Sequence, residues 1–404
     1  MELEKEETYG IVIIGGGICG LATALALHRK GIASLVLEKS ETLRADGAAI
    51  GIHVNGWRVL EQLGVAAELR ETANVITAHH DMWLQGNKST RAPIRNELRC
   101  LKRKDLMETL AKNIPAEAIR FGCHIVDIHE DPGTHGAVLT SADGSTIRVK
   151  VLIGCDGTSS VVAKYLGLSA PKAIPRTVLR GFTRYPHGHP FEPEFLRLRG
   201  EDFFLGRLPI TDDVVHFFVT TPPSTGAVTD DVNAVKDLML EKLMKTCPAE
   251  VADMVRDSEA GSLNVVTRVM YRPPWQVAFS AFQKGAVTVA GDAMHAMGPF
   301  IGQGGSAGLE DAVVLARALS RADSGGGTGR RGLEPRDDEK MTTAAIGVYV
   351  TERRPRVTML SLECFVMGTL LRAKSLVTKL ACVSMLVLLG SKSLRHTNYD
   401  CGRL

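Results

Sequence analysis

Ile11-Val12-Ile13-Ile14-Gly15-Gly16-Gly17-Ile18-Cys19-Gly20 leads into a helical stretch, Leu21 to Arg29, and then into a second apolar run, Ala33-Ser34-Leu35-Val36-Leu37, which Glu38 ends. An apolar run, a glycine-rich turn, a helix and a second apolar run predict a β-α-β unit of the Rossmann type. Gly15 permits the tight turn, Gly17 lets backbone N–H groups approach a pyrophosphate at the helix N-terminus, and Gly20 lets helix and strand pack closely. Glu38 falls about 20 residues on, where a carboxylate can accept both ribose hydroxyls of an adenosine. On its own this unit fits a nicotinamide or a flavin dinucleotide.

Two later segments choose the flavin. Cys155-Asp156-Gly157 is the first. The second begins with the buried run Val287-Val289, which with Ala290 delivers Gly291-Asp292, and continues as Pro299-Phe300-Ile301-Gly302-Gln303-Gly304. Asp292 is placed to bind a polyol such as ribityl. Gly302 to Ser306 opens a helix read as Ala307 to Leu319, whose free N–H groups and dipole favour negative charge. A reduced flavin carries that charge at its pyrimidine end. Three segments in this order and spacing predict FAD.

Length and charge fit an enzyme of two connected domains, because 404 residues exceed the usual single-core limit of roughly 250 to 300. A formal net charge of +3 with scattered basic residues gives no reason to expect nucleic acid. Eight cysteines contain no C-x-x-C pair, so neither a zinc site nor a redox-active disulfide is signalled and no metal is expected. The acidic start Met1-Glu2-Leu3-Glu4-Lys5-Glu6-Glu7 lacks the features of signal and transit peptides, and a cytoplasmic location is expected. Residues 376–389 are apolar apart from Thr378, Lys379 and Ser384, and fall short of the roughly 20 needed to span a bilayer. They read as a helix docked on the protein body in preference to one lying on a membrane.

Because the three segments are dispersed, the nucleotide domain must be assembled from separate pieces. The expected organisation is a first FAD-binding part over 1–75, strands toward the substrate domain over 76–100, a second FAD-binding part over 101–166, a β-sheet substrate domain over 167–284, a third FAD-binding part over 285–360, and C-terminal helices over 361–404. Short β-rich runs such as Val214 to Val219, and a helix from Val232 to Lys245, support the sheet domain. Alternation between Met82 and Asn87 suggests one more strand. Asp323 to Lys340 has no apolar period and reads as a surface loop between two helices.

The chain resembles the single-component FAD-dependent aromatic hydroxylases, typified by para-hydroxybenzoate and salicylate hydroxylase, and within them a plant monooxygenase branch. Besides the three segments, the resemblance rests on Asn55 to Gly64, Tyr271-Arg272-Pro273-Pro274-Trp275, Gly308-Leu309-Glu310-Asp311-Ala312, Glu352-Arg353-Arg354 and Asp400-Cys401-Gly402. It implies an α/β fold: a Rossmann-type FAD-binding domain (GR2-like) interleaved with a β-sheet substrate domain, plus a C-terminal helical segment. It also implies that NADPH or NADH docks transiently to reduce FAD, and that a flavin hydroperoxide then passes one oxygen atom of dioxygen to a small-molecule substrate. No obligate protein partner is implied.

Carried over residue by residue, the resemblance implies that Gly15, Gly17, Gly20, Glu38, Asp156, Gly291, Asp292, Gly302, Gln303 and Gly304 surround FAD. It implies further that Arg103 lies along the flavin chain and Arg44 beside the flavin, and that Pro299 and Gly302 shape the loop over the ring. His53, expected near the ring, and His216, on a sheet strand, are candidates to deprotonate a phenol. His295 reads as packing. Two departures stand out: Ala163, with Lys164 next to it, replaces an arginine usual seven residues after Asp156, and Ala296 and Gly298 replace bulkier residues or proline.

The expected activity is monooxygenation of a small aromatic or apolar acceptor, with a salicylate-like phenolic acid as the first guess. Epoxidation of an isoprenoid is the rival within enzymes. A non-catalytic binding protein on the same scaffold, like the GDP-dissociation inhibitors, is the rival outside them. The intact Gly291-Asp292 and Gly302-Gln303-Gly304 argue against the latter.

Overall fold

The computed structural model describes residues 7–43, 49–131, 136–222, 231–326, 335–390 and 395–404. Its central feature is a parallel layer in the order Val287–Val289, Thr146–Gly154, Glu7–Ile14, Leu35–Leu37, Ile119–Arg120. The antiparallel strands Ala137–Ser141, Ile125–Glu130 and Gln283–Lys284 extend it. Val12, Ile13, Leu37, Leu152, Ile153 and Val289 are all buried, as continuous apolar runs in a parallel sheet covered on both faces should be. The helix Ile18–Arg29 packs along this sheet against the helix Gly304–Gly326, and its residues from Gly20 to Leu27 are all buried.

Register decides where the chemistry sits. Ile14 pairs with Gly154 and with Leu37, and Gly154 pairs with Val289. The glycine turn, Glu38, Cys155-Asp156 and Gly291-Asp292 therefore all leave the same carboxyl-terminal edge, the edge outside which open parallel sheets bind ligands.

A second sheet of seven strands runs in the order Asn264–Tyr271, Lys172–Arg184, Val214–Thr221, Phe204–Pro209, Glu194–Arg199, Ala78–Trp83, Lys88–Pro93. Alternation along Val214–Thr221 gives it two faces. Val215, Phe217 and Val219 pack against the helices Val232–Thr246 and Ala249–Arg256. Phe182, His216 and Phe218 lie on the opposite face, where Phe182 and Phe218 join the core of the first sheet. A two-stranded ribbon pairs Ala49–His53 with Leu98–Lys102.

Two sequence expectations are corrected. The strand expected over Met82 to Asn87 is instead a hairpin: Ala78–Trp83 ends there, and the turn before Lys88–Pro93 contains Gly86 and Asn87 in positive φ, residues that adopt this conformation most readily. The loop expected over Asp323 to Lys340 is shorter at both ends, because the helix Gly304–Gly326 runs on and the helix Pro335–Arg372 starts early. A helix packed along most of its length extends into polar residues, since each added residue gains a hydrogen bond without new nucleation. Positions 327–334 lie outside the described residues.

Candidate functional site

At the carboxyl edge of the parallel sheet, the glycines of the first segment have three different surroundings. Gly15 takes φ +104°, and a Cβ there would fall 2.5 Å from the Cys155 carbonyl oxygen. A Cβ on Gly20 would fall 1.9 Å from the Gly15 carbonyl oxygen. Both contacts are with backbone, so neither position admits a side chain without moving the chain. Gly17, by contrast, has an ordinary φ of −78° and open space where a Cβ would stand. It precedes the helix Ile18–Arg29, whose N-terminus has no side-chain cap and no acid in its first turn. An uncapped N-terminus facing open space is a site for an anion such as a pyrophosphate.

Glu38 closes one side of this turn, accepting N–H bonds from Gly16 at 2.6 Å and Ser40 at 2.9 Å. Asp156 turns one carboxylate oxygen onto the Val161 N–H at 2.7 Å, while its other oxygen is buried without a partner and burial raises its pKa. Its observed contact holds the Cys155–Gly157 turn. At Ala163 the backbone N–H donates to Ser160 Oγ, and the adjacent Lys164 is exposed. Cys19 and Cys155 approach to 3.8 Å between sulfurs, and all eight cysteines are free.

The third segment places Gly291 at φ +60°, with its N–H donating to Asp311 Oδ2 at 2.8 Å. Asp292 follows, exposed and unpaired among the described residues. Gly302 takes φ +61°, and a Cβ there would lie 3.6 Å from His53 Nε2. Gln303 is fully buried, its Oε1 accepting from Asn55 Nδ2 at 2.9 Å, so its side chain is committed to the interior. Gly304 starts the helix Gly304–Gly326, and exposed Pro299 starts a single turn before it. Arg44 lies outside the described residues.

From Gly302 the site continues onto the face of the seven-stranded sheet that bears Phe182, His216 and Phe218. The imidazole of His53 is pushed down to about 3 by burial, with the charges of His396 and His79 adding to the effect. His79 lies 5.9 Å from the Phe195 ring, Phe195 lies 6.4 Å from Phe218, and Phe218 lies 6.1 Å from His216. Burial takes His79 and His216 down to about 4 each. All three imidazoles are thus neutral at pH 7. A group this acidic in its protonated form is a weak base toward a phenol of pKa about 10, so neither His53 nor His216 has the proton affinity expected of a strong general base. Each can still donate or accept a hydrogen bond. His216 Nδ1 lies 3.0 Å from the Gly181 carbonyl oxygen, which fixes that nitrogen as the donor and leaves Nε2 as acceptor.

Arg180 completes this face. Its guanidinium donates to Asn264 Oδ1 at 3.1 and 3.0 Å, and its pKa is lowered by burial and by the charge of Arg103, the first residue of the helix Arg103–Lys112. Two converging cations in a half-buried position form a natural seat for an anion.

The sequence reading missed Arg180 and His79, because a lone arginine or histidine on a strand carries no pattern that distinguishes the inner face. It also gave no role to a buried network behind the site. Asn55 Nδ2 donates to Gln303 Oε1 and, at 2.7 Å, to Glu310 Oε1; Arg353 pairs with Glu310 and Asp311; His295 Nε2 lies 2.6 Å from Asp311 Oδ2. The signal was in the stretches that carry the resemblance, which contain Asn55, Glu310-Asp311 and Arg353.

Comparison with known proteins places the chain in a family. The sequence matches the family described as FAD binding domain over residues 8–198 and 206–340. Monooxygenase 1 of Arabidopsis thaliana is 44% identical over 401 residues, covering 98% of this chain and all of that protein. The 3-hydroxybenzoate 6-hydroxylase 1 of Aquipseudomonas alcaligenes is 31% identical over 338 residues, 77% of this chain and 80% of that one. Among solved structures, Klebsiella pneumoniae HpxO complexed with FAD and uric acid superposes with a TM-score of 0.75 at 22% identity, over 99% of this chain and 97% of that chain.

Proposed function

The chain belongs to the FAD binding domain family of flavin-dependent monooxygenases, and we propose that within it the protein hydroxylates a small aromatic acid of the salicylate type. The observation that carries this reading is the face bearing Phe195, Phe218, His216 and Arg180, which leads through His79 and His53 to Gly302. Aromatic rings to pack on, neutral imidazoles to bond a hydroxyl, and a guanidinium for a carboxylate match the parts of such a substrate.

FAD, when bound, supplies electron transfer from NADPH or NADH and the activation of dioxygen. The residues present fit it. The uncapped helix start behind Gly17 would hold the pyrophosphate, Glu38 the adenosine ribose, and exposed Asp292 the ribityl chain. Arg103 would contribute a cation to the bound flavin. The N-terminus of Gly304–Gly326 would stabilise negative charge on it through its dipole. Gly302, in a conformation that favours glycine, would leave room for it. On the substrate side, Arg180 anchors the carboxylate, Phe195 and Phe218 exclude water, and His216 Nε2 accepts the phenol hydrogen bond, orienting the ring without fully removing its proton.

The test is titration of the purified flavoprotein with salicylate and related phenolic acids, followed through the flavin visible band and by NADPH consumption. Saturable band shifts together with hydroxylated product support the reading. A band that never moves with any phenolic acid refutes it and directs the search to larger apolar acceptors.

A further inference from the structure

We propose that the helix Leu376–Leu388 is an interfacial helix that docks the protein on the surface of an anionic lipid bilayer. This helix touches the rest of the molecule along one narrow stripe: only Cys382 and Leu386 are buried, packed on Leu362, Val366 and Leu370 of the preceding helix. At 100° per residue, the opposite side carries Leu376, Val377, Leu380, Val387 and Leu388. These are 70%, 76%, 59%, 47% and 87% exposed. No charged residue interrupts that face, since Lys379 lies toward its flank. Exposed Ser384 adds one small hydroxyl to this otherwise apolar face, and an apolar surface of this kind on a helix marks an interaction site.

Charge selects the partner. Residues 364–399 contain no Asp or Glu and five cations, Arg372, Lys374, Lys379, Lys392 and Arg395. Arg372, Lys374 and Lys379 are exposed at and just before the helix. On the neighbouring surface the charge of Arg372 reaches Arg176, which the charge of Asp202 also reaches, and Lys172 Nζ stands 5.5 Å over the ring of half-exposed Trp275. Trp275 in turn rests against Phe365, two turns before Arg372 on the same helix. An apolar helical face bordered by Lys and Arg, with a tryptophan nearby, is the chemistry that partitions into the headgroup region of anionic membranes.

Area disfavours a second copy as the occupant. Thirteen residues make a helix about 20 Å long and about 10 Å wide, so roughly 200 Å² per copy against the roughly 800 Å² per partner of a stable interface. Two copies meeting here would also bring like charges together. Among the described residues no helix is long and apolar enough to cross a membrane, which leaves lying on the surface as the mode of contact.

The experiment uses the full-length protein with its flavin. It is sedimented with phosphatidylcholine vesicles, with and without phosphatidylserine, at low and high salt. Binding is expected to need phosphatidylserine and to fall with salt. The double variant L380E/V387E is expected to bind about tenfold more weakly or worse while keeping its flavin spectrum, because two side chains can no longer be buried in lipid. K374E/K379E is expected to lose the preference for phosphatidylserine. No sedimentation with phosphatidylserine vesicles, or unchanged sedimentation of L380E/V387E, overturns the proposal. So does a concentration-dependent dimer that L380E/V387E abolishes, since a second copy would then cover the face.

Discussion

Arg353 and Asp311 form an ion pair sealed from solvent: the guanidinium Nε donates to Asp311 Oδ1 at 2.6 Å, and neither side chain has any exposed surface. The same guanidinium reaches Glu310 at 2.9 Å, and Asp311 receives the Gly291 N–H and His295. One buried charge cluster therefore ties the last long helix to the turn that presents Asp292. Asp311 is held well below the usual carboxylate range by His295 and Arg353, against a burial effect in the opposite direction.

Replacing Arg353 by Met takes the guanidinium from buried Asp311, which keeps only His295, and leaves buried Glu310 with Arg356 alone. Removing one partner of a buried pair costs about 3–5 kcal/mol, so the urea midpoint should fall and flavin should be lost more readily. An unchanged midpoint would show that the cluster contributes nothing to stability.

Gly17 and Gly20 should separate ligand space from packing space. Gly20→Ala drives a Cβ into the Gly15 carbonyl, and the variant is expected to fold poorly. Gly17→Ala meets open space and an ordinary φ, so it should fold with a native circular dichroism spectrum yet bind FAD more weakly. If G17A retains FAD as tightly as the parent, the pyrophosphate does not lie over this residue.

The Asp292 side chain is exposed and has no partner among the described residues. Asp292→Ala should leave thermal unfolding of the apoprotein unchanged and lower FAD retention on dialysis; full retention would remove the ribityl assignment.

Arg180→Gln should leave the flavin content intact and raise the KM for a phenolic acid about tenfold or more, the usual effect of losing a hydrogen bond to a charged group. Equal KM values for parent and variant would place the carboxylate elsewhere.

Three imidazoles set a pH dependence, buried His216 and half-buried His53 and His79. Each has a folded pKa below its ordinary value near 6.5, so its contribution to stability is fully present above that pH. It is lost as the pH falls through about 6.5 toward about 4 for His79 and His216, and about 3 for His53. The melting temperature should begin to fall below pH 6.5, and His216→Asn should flatten part of that decline. A melting temperature independent of pH over this window in the parent would contradict the buried, neutral state.

By itself the sequence determined the β-α-β unit, because glycine spacing and apolar runs are local properties: Gly15 and Gly20 face backbone atoms that only glycine tolerates, and Glu38 must follow the second strand. It also determined the order of the flavin segments and hence their family. Tertiary structure decided everything that depends on which strands become neighbours. Only the pairing of Ile14 with Gly154, and of Gly154 with Val289, puts the three segments on one edge. Alternation sets His216 and Phe218 opposite Phe217, but only packing decides which face meets the first sheet and which meets the helices. The convergence of Arg180 with Arg103, across 77 residues of chain, has no local signature. The exposure of Leu376–Leu388 likewise depends on how little of the body lies beside it, since an apolar run of that length reads the same whether it is buried in a core or turned outward.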